Sequence, residues 1–167
     1  MSENYNICQQ KRAIALVEFL LSTGCRVGEI AALKRENIDL ERGTALVFGK
    51  GSKERIVYIN AVCRLRLLEY WEAVGDNLYA FCQMESPYKE WNISGIEIEV
   101  RKLGALAGVK DCHPHRFRRT TATIATKKGM SLLDVQRMLG HESADTTRIY
   151  LDLDDTDLKH KHEKYLG

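Results

Sequence analysis

Two stretches of this sequence gather groups able to hold an anion and move a proton. CHPHRFRRTTAT, residues 112–123, sets His115 and Arg118 three apart with Arg116 and Arg119 beside them. Pro114 stands just before a helix expected to begin near His115, where a missing amide donor does no harm. Residues three apart on a helix share a face, so His115 and Arg118 are expected to point the same way. A helix N-terminus beside a guanidinium suits phosphate, the anion that a forked donor holds best. The alternative from this stretch alone is structural, with Arg118 bridging to a carboxylate and His115 capping the helix.

Other candidates lie elsewhere. STGCRVGEIAAL places Arg26 at the start of a helix with Glu29 three residues on, positioned to fix the base of that helix or to orient a neighbouring guanidinium. GKGSKER supplies Lys50, Lys53 and Arg55, and LGHESADTTRIY puts His141 after a helix-ending glycine and Tyr150 nine residues later. As a lone tyrosine, Tyr150 has six rivals, Tyr5, Tyr58, Tyr70, Tyr79, Tyr88 and Tyr165, and a core-edge aromatic is the commoner role.

These residues need elements to carry them. Apolar residues at helical spacing from Ile14 to Leu21, stopped by Gly24, predict a first helix, and residues 27–33 predict a short second one. Alternation through NIDLERGTALVFGKGSKERIVYIN, broken at Arg42-Gly43 and Gly49-Lys50-Gly51, predicts a small antiparallel sheet of about three strands. Helices are expected over residues 61–74, 93–107, 115–128, 131–139, 145–151 and 155–165. The fold class is therefore α+β and mainly helical.

Composition excludes several classes. The chain has 167 residues, is 44% hydrophobic and 29% charged, and is long enough for a packed core. The apolar run AIALVEFLL is too short to span a bilayer and contains Glu18, and the start of the chain has no signal-peptide pattern, so a cytoplasmic location away from membranes is expected. Five widely spaced cysteines without a C-x-x-C pair argue against a disulfide framework or structural zinc. Crowded Cys112, His113 and His115 show no second half-site, so no metal is expected there. Net charge is only +2, but six cations from Lys110 to Lys128 face the single acid Asp111, and Lys50, Lys53 and Arg55 form a second basic island. A face built for a polyanion has this asymmetry, as does an ordinary solvated charge run.

TGCRVGE, GKGSKER, HRFRRTTAT, LGH and TTRIY, in this order and spacing, resemble the catalytic domain of the tyrosine recombinases, the phage-integrase family of site-specific DNA recombinases. The resemblance covers about residues 17–153. It matches the family's catalytic positions to Arg26, Lys50, His115, Arg118, His141 and Tyr150, with Tyr150 as nucleophile. His113 with Arg116 has the same spacing as His115 with Arg118, but would place Pro114 inside the motif and shift the distances to His141 and Tyr150. Arg119 stands where the family often has histidine.

The resemblance implies a metal-independent enzyme without cofactors. Tyr150 would form a 3′-phosphotyrosine, Arg26 and Arg118 would hold the phosphate oxygens, Lys50 would protonate the leaving 5′-oxygen and His115 would take the tyrosyl proton, with His141 as a phosphate donor. Lys53, Arg55, Arg116 and Arg119 are assigned to DNA binding and Glu29 to structural support. The implied partner is double-stranded DNA, bound by a homotetramer formed through a C-terminal tail helix at about residues 155–167, with Leu158, Tyr165 and Leu166 as anchors. In isolation a monomer is expected, since that helix fits equally well folded back on its own domain. The whole of residues 1–167 is expected to be catalytic domain, without the family's N-terminal DNA-binding domain, and a bacterial or phage origin follows from the family. Type IB topoisomerase-like relaxation and a catalytically silent DNA-binding module are the alternatives.

Overall fold

The computed structural model describes residues 3–49, 51, 53–85 and 88–140. They divide into two compact units, Met1–Thr121 and Ala122–Gly167. The chain runs through α1 (Glu3–Thr23), α2 (Val27–Ala31), a 3-10 turn (Arg35–Asn37), β1 (Ile38–Asp39), β2 (Thr44–Phe48), β3 (Glu54–Tyr58), α3 (Ala61–Val74), α4 (Ile93–Leu106), α5 (Pro114–Lys127) and α6 (Leu132–Leu139). The mainly helical class with a small antiparallel sheet is the one expected. The helices expected at 145–151 and 155–165 lie outside the described residues.

Helix α1 begins earlier than its apolar stripe suggests. It buries Cys8, Ala15, Leu16, Phe19 and Leu20 completely or nearly so. Full burial of each leucine or phenylalanine contributes about 1.5–3 kcal/mol. This stripe packs on α3, whose Cys63, Leu67 and Tyr70 are equally buried, and Phe81 meets Phe19 edge-on with ring centroids 5.7 Å apart. Helix α3 starts where Asn60 accepts the Cys63 N–H at 2.8 Å and ends at Gly75, with φ of 78°. Trp71 on α3 donates to the Ala80 carbonyl at 2.9 Å, and between α3 and α4, where no helix is expected, Ala80, Phe81 and Cys82 fill the core in irregular backbone.

The sheet has the order β1-β2-β3, all antiparallel. Alternation decides which side chains face in. Ala45 and Val47 on β2 and Val57 on β3 are buried, while Ile56 and Tyr58 are exposed. Val47 pairs with Arg55, so the same alternation turns Arg55 inward.

The second unit has a small core of its own. Ala122, Val135 and Leu139 are fully buried, with Ala125 and Met138 packed against them. Ser131 starts α6 by accepting the Asp134 N–H at 3.1 Å, and Gly140 ends it in the left-handed conformation.

Candidate active site

The end of α1 sets the first anchor. Gly24 has φ of 60°, a conformation costly for a residue with a Cβ, and its N–H still reaches the Leu20 carbonyl at 3.0 Å. The Thr23 hydroxyl donates to Phe19 O at 2.7 Å and accepts the Cys25 N–H at 3.1 Å, so the chain leaves the helix on a defined path into Arg26. Glu29, one turn into α2, then reaches back to accept the Arg26 N–H at 2.7 Å. This is the reciprocal half of a capping box, made by a carboxylate at the third helical position.

The same carboxylate binds two guanidinium groups. Arg26 Nη1 lies 3.3 Å from Glu29 Oε1, and Arg55 forks onto Glu29 through Nε at 3.1 Å and Nη2 at 2.7 Å. Glu29 is 3% exposed. Burial alone would push its carboxyl up, but the Arg55 hydrogen bonds, the Arg26 N–H and both cationic charges outweigh this and hold it below the usual range. Burial works against the Arg55 charge in the same way, and Glu29 more than offsets it. The neighbouring Cys25 thiol is pushed up to about 12, by burial first and the Glu29 charge second, so it is neutral and inert.

Arg118 arrives from α5. It is 2% exposed and donates to the Gly24 carbonyl at 2.7 Å, a helix-end oxygen that favours a cation. One turn later, Thr121 Oγ1 lies 2.9 Å from Leu21 O and 3.0 Å from Phe117 O, tying α5 to the end of α1. Burial and then the charges of Arg26 and Arg55 lower Arg118 to about 10, with Glu29 opposing them. It remains protonated at neutral pH. The depression reflects like-charge crowding by Arg26 and Arg55, which contact Glu29 while Arg118 itself bonds to the Gly24 carbonyl.

His115 lies on the solvent side of α5, its ring stacked near His113 with centroids 6.4 Å apart. Partial burial, then the charges of Arg118, His113, Arg119 and Arg26, hold its imidazole below the ordinary value. Arg116 donates to the Lys110 carbonyl, and Arg119 and Lys53 are exposed. The structure thus brings Arg26, Glu29, Arg55 and Arg118 together, with His115 close enough to feel the charges of Arg118 and Arg26. Lys50, His141 and Tyr150 lie outside the described residues. Arg55 is turned into the protein against Glu29, and its side chain is 16% exposed. Sequence reasoning missed Gly24, Thr23 and Thr121 as supports of the cluster. A threonine-glycine pair at the helix end was the legible signal for the first two. Among the described residues, no group of three or more His, Cys, Asp and Glu side chains is placed to hold a metal ion. Among them, too, no helix is long and apolar enough to cross a membrane.

A mainly helical fold with a three-stranded antiparallel sheet, gathering arginines around one glutamate, defines a class that comparison with known proteins makes specific. The Phage integrase family model matches residues 1–157, and the chain belongs to that family, the tyrosine recombinases. Tyrosine recombinase XerD of Chlorobaculum tepidum is 32% identical over 163 residues, covering 90% of this chain and 52% of that protein. Tyrosine recombinase XerC of Pediococcus pentosaceus is 34% identical over 165 residues, covering 94% and 55%. The chain therefore spans about half the length of the curated relatives it matches. Among solved structures, XerA recombinase superposes with a TM-score of 0.82 at 31% identity, covering all of this chain and 65% of that one. The XerH site-specific recombinase bound to its difH substrate, in a pre-cleavage complex, gives 0.77 at 27% identity, covering all of this chain and 49% of that one. The fold is that of the tyrosine recombinase catalytic domain.

Proposed function

We propose that this chain is the catalytic domain of a site-specific DNA recombinase that breaks and rejoins strands through a 3′-phosphotyrosyl intermediate. The observation carrying this reading is the crowding of three arginines near one carboxylate, Arg26 and Arg55 bound to Glu29 and Arg118 within reach of both their charges. Such a cluster is left with positive charge that an anion relieves, and forked guanidinium donors suit phosphate.

Family membership and this electrostatics support the following chemistry. Tyr150 attacks the scissile phosphorus in line, forming the tyrosyl–phosphate bond as the bond to the 5′-oxygen breaks. Arg26 and Arg118 hold the non-bridging oxygens as charge grows on them, and removing one such donor raises the barrier by about 3 kcal/mol. His115 accepts the tyrosyl proton, a role favoured by an imidazole kept neutral at pH 7. Lys50 delivers a proton to the departing 5′-oxygen, and His141 donates to the phosphate. Attack by a 5′-hydroxyl on the phosphotyrosine reverses each transfer and reseals the strand. Exposed Lys53, Arg116 and Arg119 then bind the duplex backbone, whose affinity falls with salt as counterions are released. Residues 1–167 form this catalytic domain, a cytoplasmic one acting as a homotetramer on DNA and a monomer without it, the tail from about residue 155 docking between subunits.

The test is covalent trapping on nicked duplexes that carry a candidate site, comparing the chain with Tyr150→Phe. An SDS-stable adduct mapped to Tyr150 on a 3′-phosphate, absent from the variant, is the expected result. Tight DNA binding without any adduct, both for this chain and for a full-length form, sinks the enzymatic reading.

A further inference from the structure

Arg55 lies on the inward face of β3, opposite Val47, and its fork closes on Glu29 with both contacts at hydrogen-bond length. Glu29 in turn holds the backbone N–H and the guanidinium of Arg26. Gly49 donates its N–H to Lys53 O at 2.8 Å and so closes the β2–β3 stem from which Arg55 extends. The stem leading into Lys50 and the helix carrying Arg26 therefore share one anchor.

We infer that Arg55 is a positioning residue for strand cleavage, acting through Glu29 on Arg26, and not a contact to the DNA backbone. This rests on the reading of Arg26 as a phosphate ligand given above. The geometry argues against the DNA role, because a guanidinium that bridges two protein elements by a two-point fork has its strongest donor directions already used. It also explains why arginine stands there. A lysine offers a point charge and cannot span both carboxylate oxygens, so Glu29 would be left free to rotate.

The experiment measures two quantities for the unaltered chain, Arg55→Gln and Arg55→Lys, with Arg116→Gln, a DNA-backbone contact in the proposed function, as the variant expected to lower the salt slope. One is duplex affinity as a function of salt, and the other is the single-turnover rate of adduct formation at saturating DNA. Expected for Arg55→Gln is an affinity within about two-fold and an unchanged salt slope, whereas losing a phosphate contact lowers that slope by about one. Its cleavage rate is expected to fall on the order of ten- to a hundred-fold, the scale of an ångström's misplacement. Arg55→Lys, which keeps the charge, recovers little of that rate. Glu29→Gln shows the same kinetic loss, and the double variant Glu29→Gln/Arg55→Gln is no slower than the worse single variant. Circular dichroism and thermal melts identify any variant that fails to fold, and Arg55→Lys then carries the comparison. A lowered salt slope for Arg55→Gln, full rescue by lysine, or an unchanged rate overturns the proposal. If the unaltered chain forms no adduct, the enzymatic reading fails, while the salt slope still decides whether Arg55 touches DNA.

Discussion

Among the described residues two arginines are almost completely buried, each donating to a backbone carbonyl, and they differ in the charge around them. Arg12, on α1, is 5% exposed, stacks on the Trp91 ring with 3.7 Å to its centroid and donates to Cys82 O at 2.8 Å. Its neighbours are an aromatic face and a carbonyl, both of which attract a cation. Arg118 is 2% exposed but sits beside Arg26 and Arg55, which repel it. Burial therefore does not mark a functional arginine. On the function proposed above like-charge crowding does, because repulsion among Arg118, Arg26 and Arg55 costs stability that a bound phosphate would restore.

Replacing Arg118 by methionine should separate the two most sharply. Cleavage is expected to slow by about two to three orders of magnitude, near 3–4 kcal/mol of barrier. Urea unfolding is expected to shift by no more than about 1 kcal/mol, because lost hydrogen bonding is offset by relief of repulsion. A large stability loss with an unimpaired rate in the folded fraction would break the distinction. Arg12→Met should do the reverse, lowering stability by about 1–3 kcal/mol as the Cys82 carbonyl and the Trp91 face lose their partner, with the cleavage rate unchanged.

Inorganic phosphate gives a smaller effect of the same kind. It is expected to raise the melting temperature of the unaltered protein and of Arg12→Met by a few degrees, and to leave Arg118→Met unmoved, since a ligand stabilises only what binds it. Equal shifts in all three would show that the anion acts elsewhere. The smallest effect belongs to His115. Because its folded pKa is depressed below 6.5, the unfolded chain binds more protons as pH falls through that value, so the native state loses stability on acidification and regains it above. Melting curves at pH 5.5 and 7.5 should show this dependence weakened in His115→Gln. The cleavage rate should also rise with pH to a plateau whose midpoint lies below 6.5.

Glu29 and Arg55 show where sequence reading reaches its limit. Glu29, three residues after Arg26, is legible as a helix-base carboxylate because a capping contact is local and depends on spacing alone. Arg55 is legible as a cation in a basic island, and its strand alternates well enough to place it opposite Ile56. That it faces a carboxylate 26 positions earlier is not legible, since nothing in a two-residue period names the partner across the sheet. Arg12 is a parallel case. It lies before the apolar stripe read from Ile14 to Leu21, so its burial is not legible, and Trp91 lies 79 positions on, in a connection with no periodicity to read.

The sequence by itself determined the elements and the family. Helical and strand periods, glycine stops and the ordered motifs around Arg26, His115 and Arg118 are short-range patterns that each segment carries alone. Only the tertiary structure decided which cations share a counter-charge. It put Arg118 against the Gly24 carbonyl, turned Arg55 onto Glu29 and left Arg116 on the Lys110 carbonyl. The physical reason is that electrostatic interaction depends on distance and burial in space, and both are set by how α1, α2, β3 and α5 pack together.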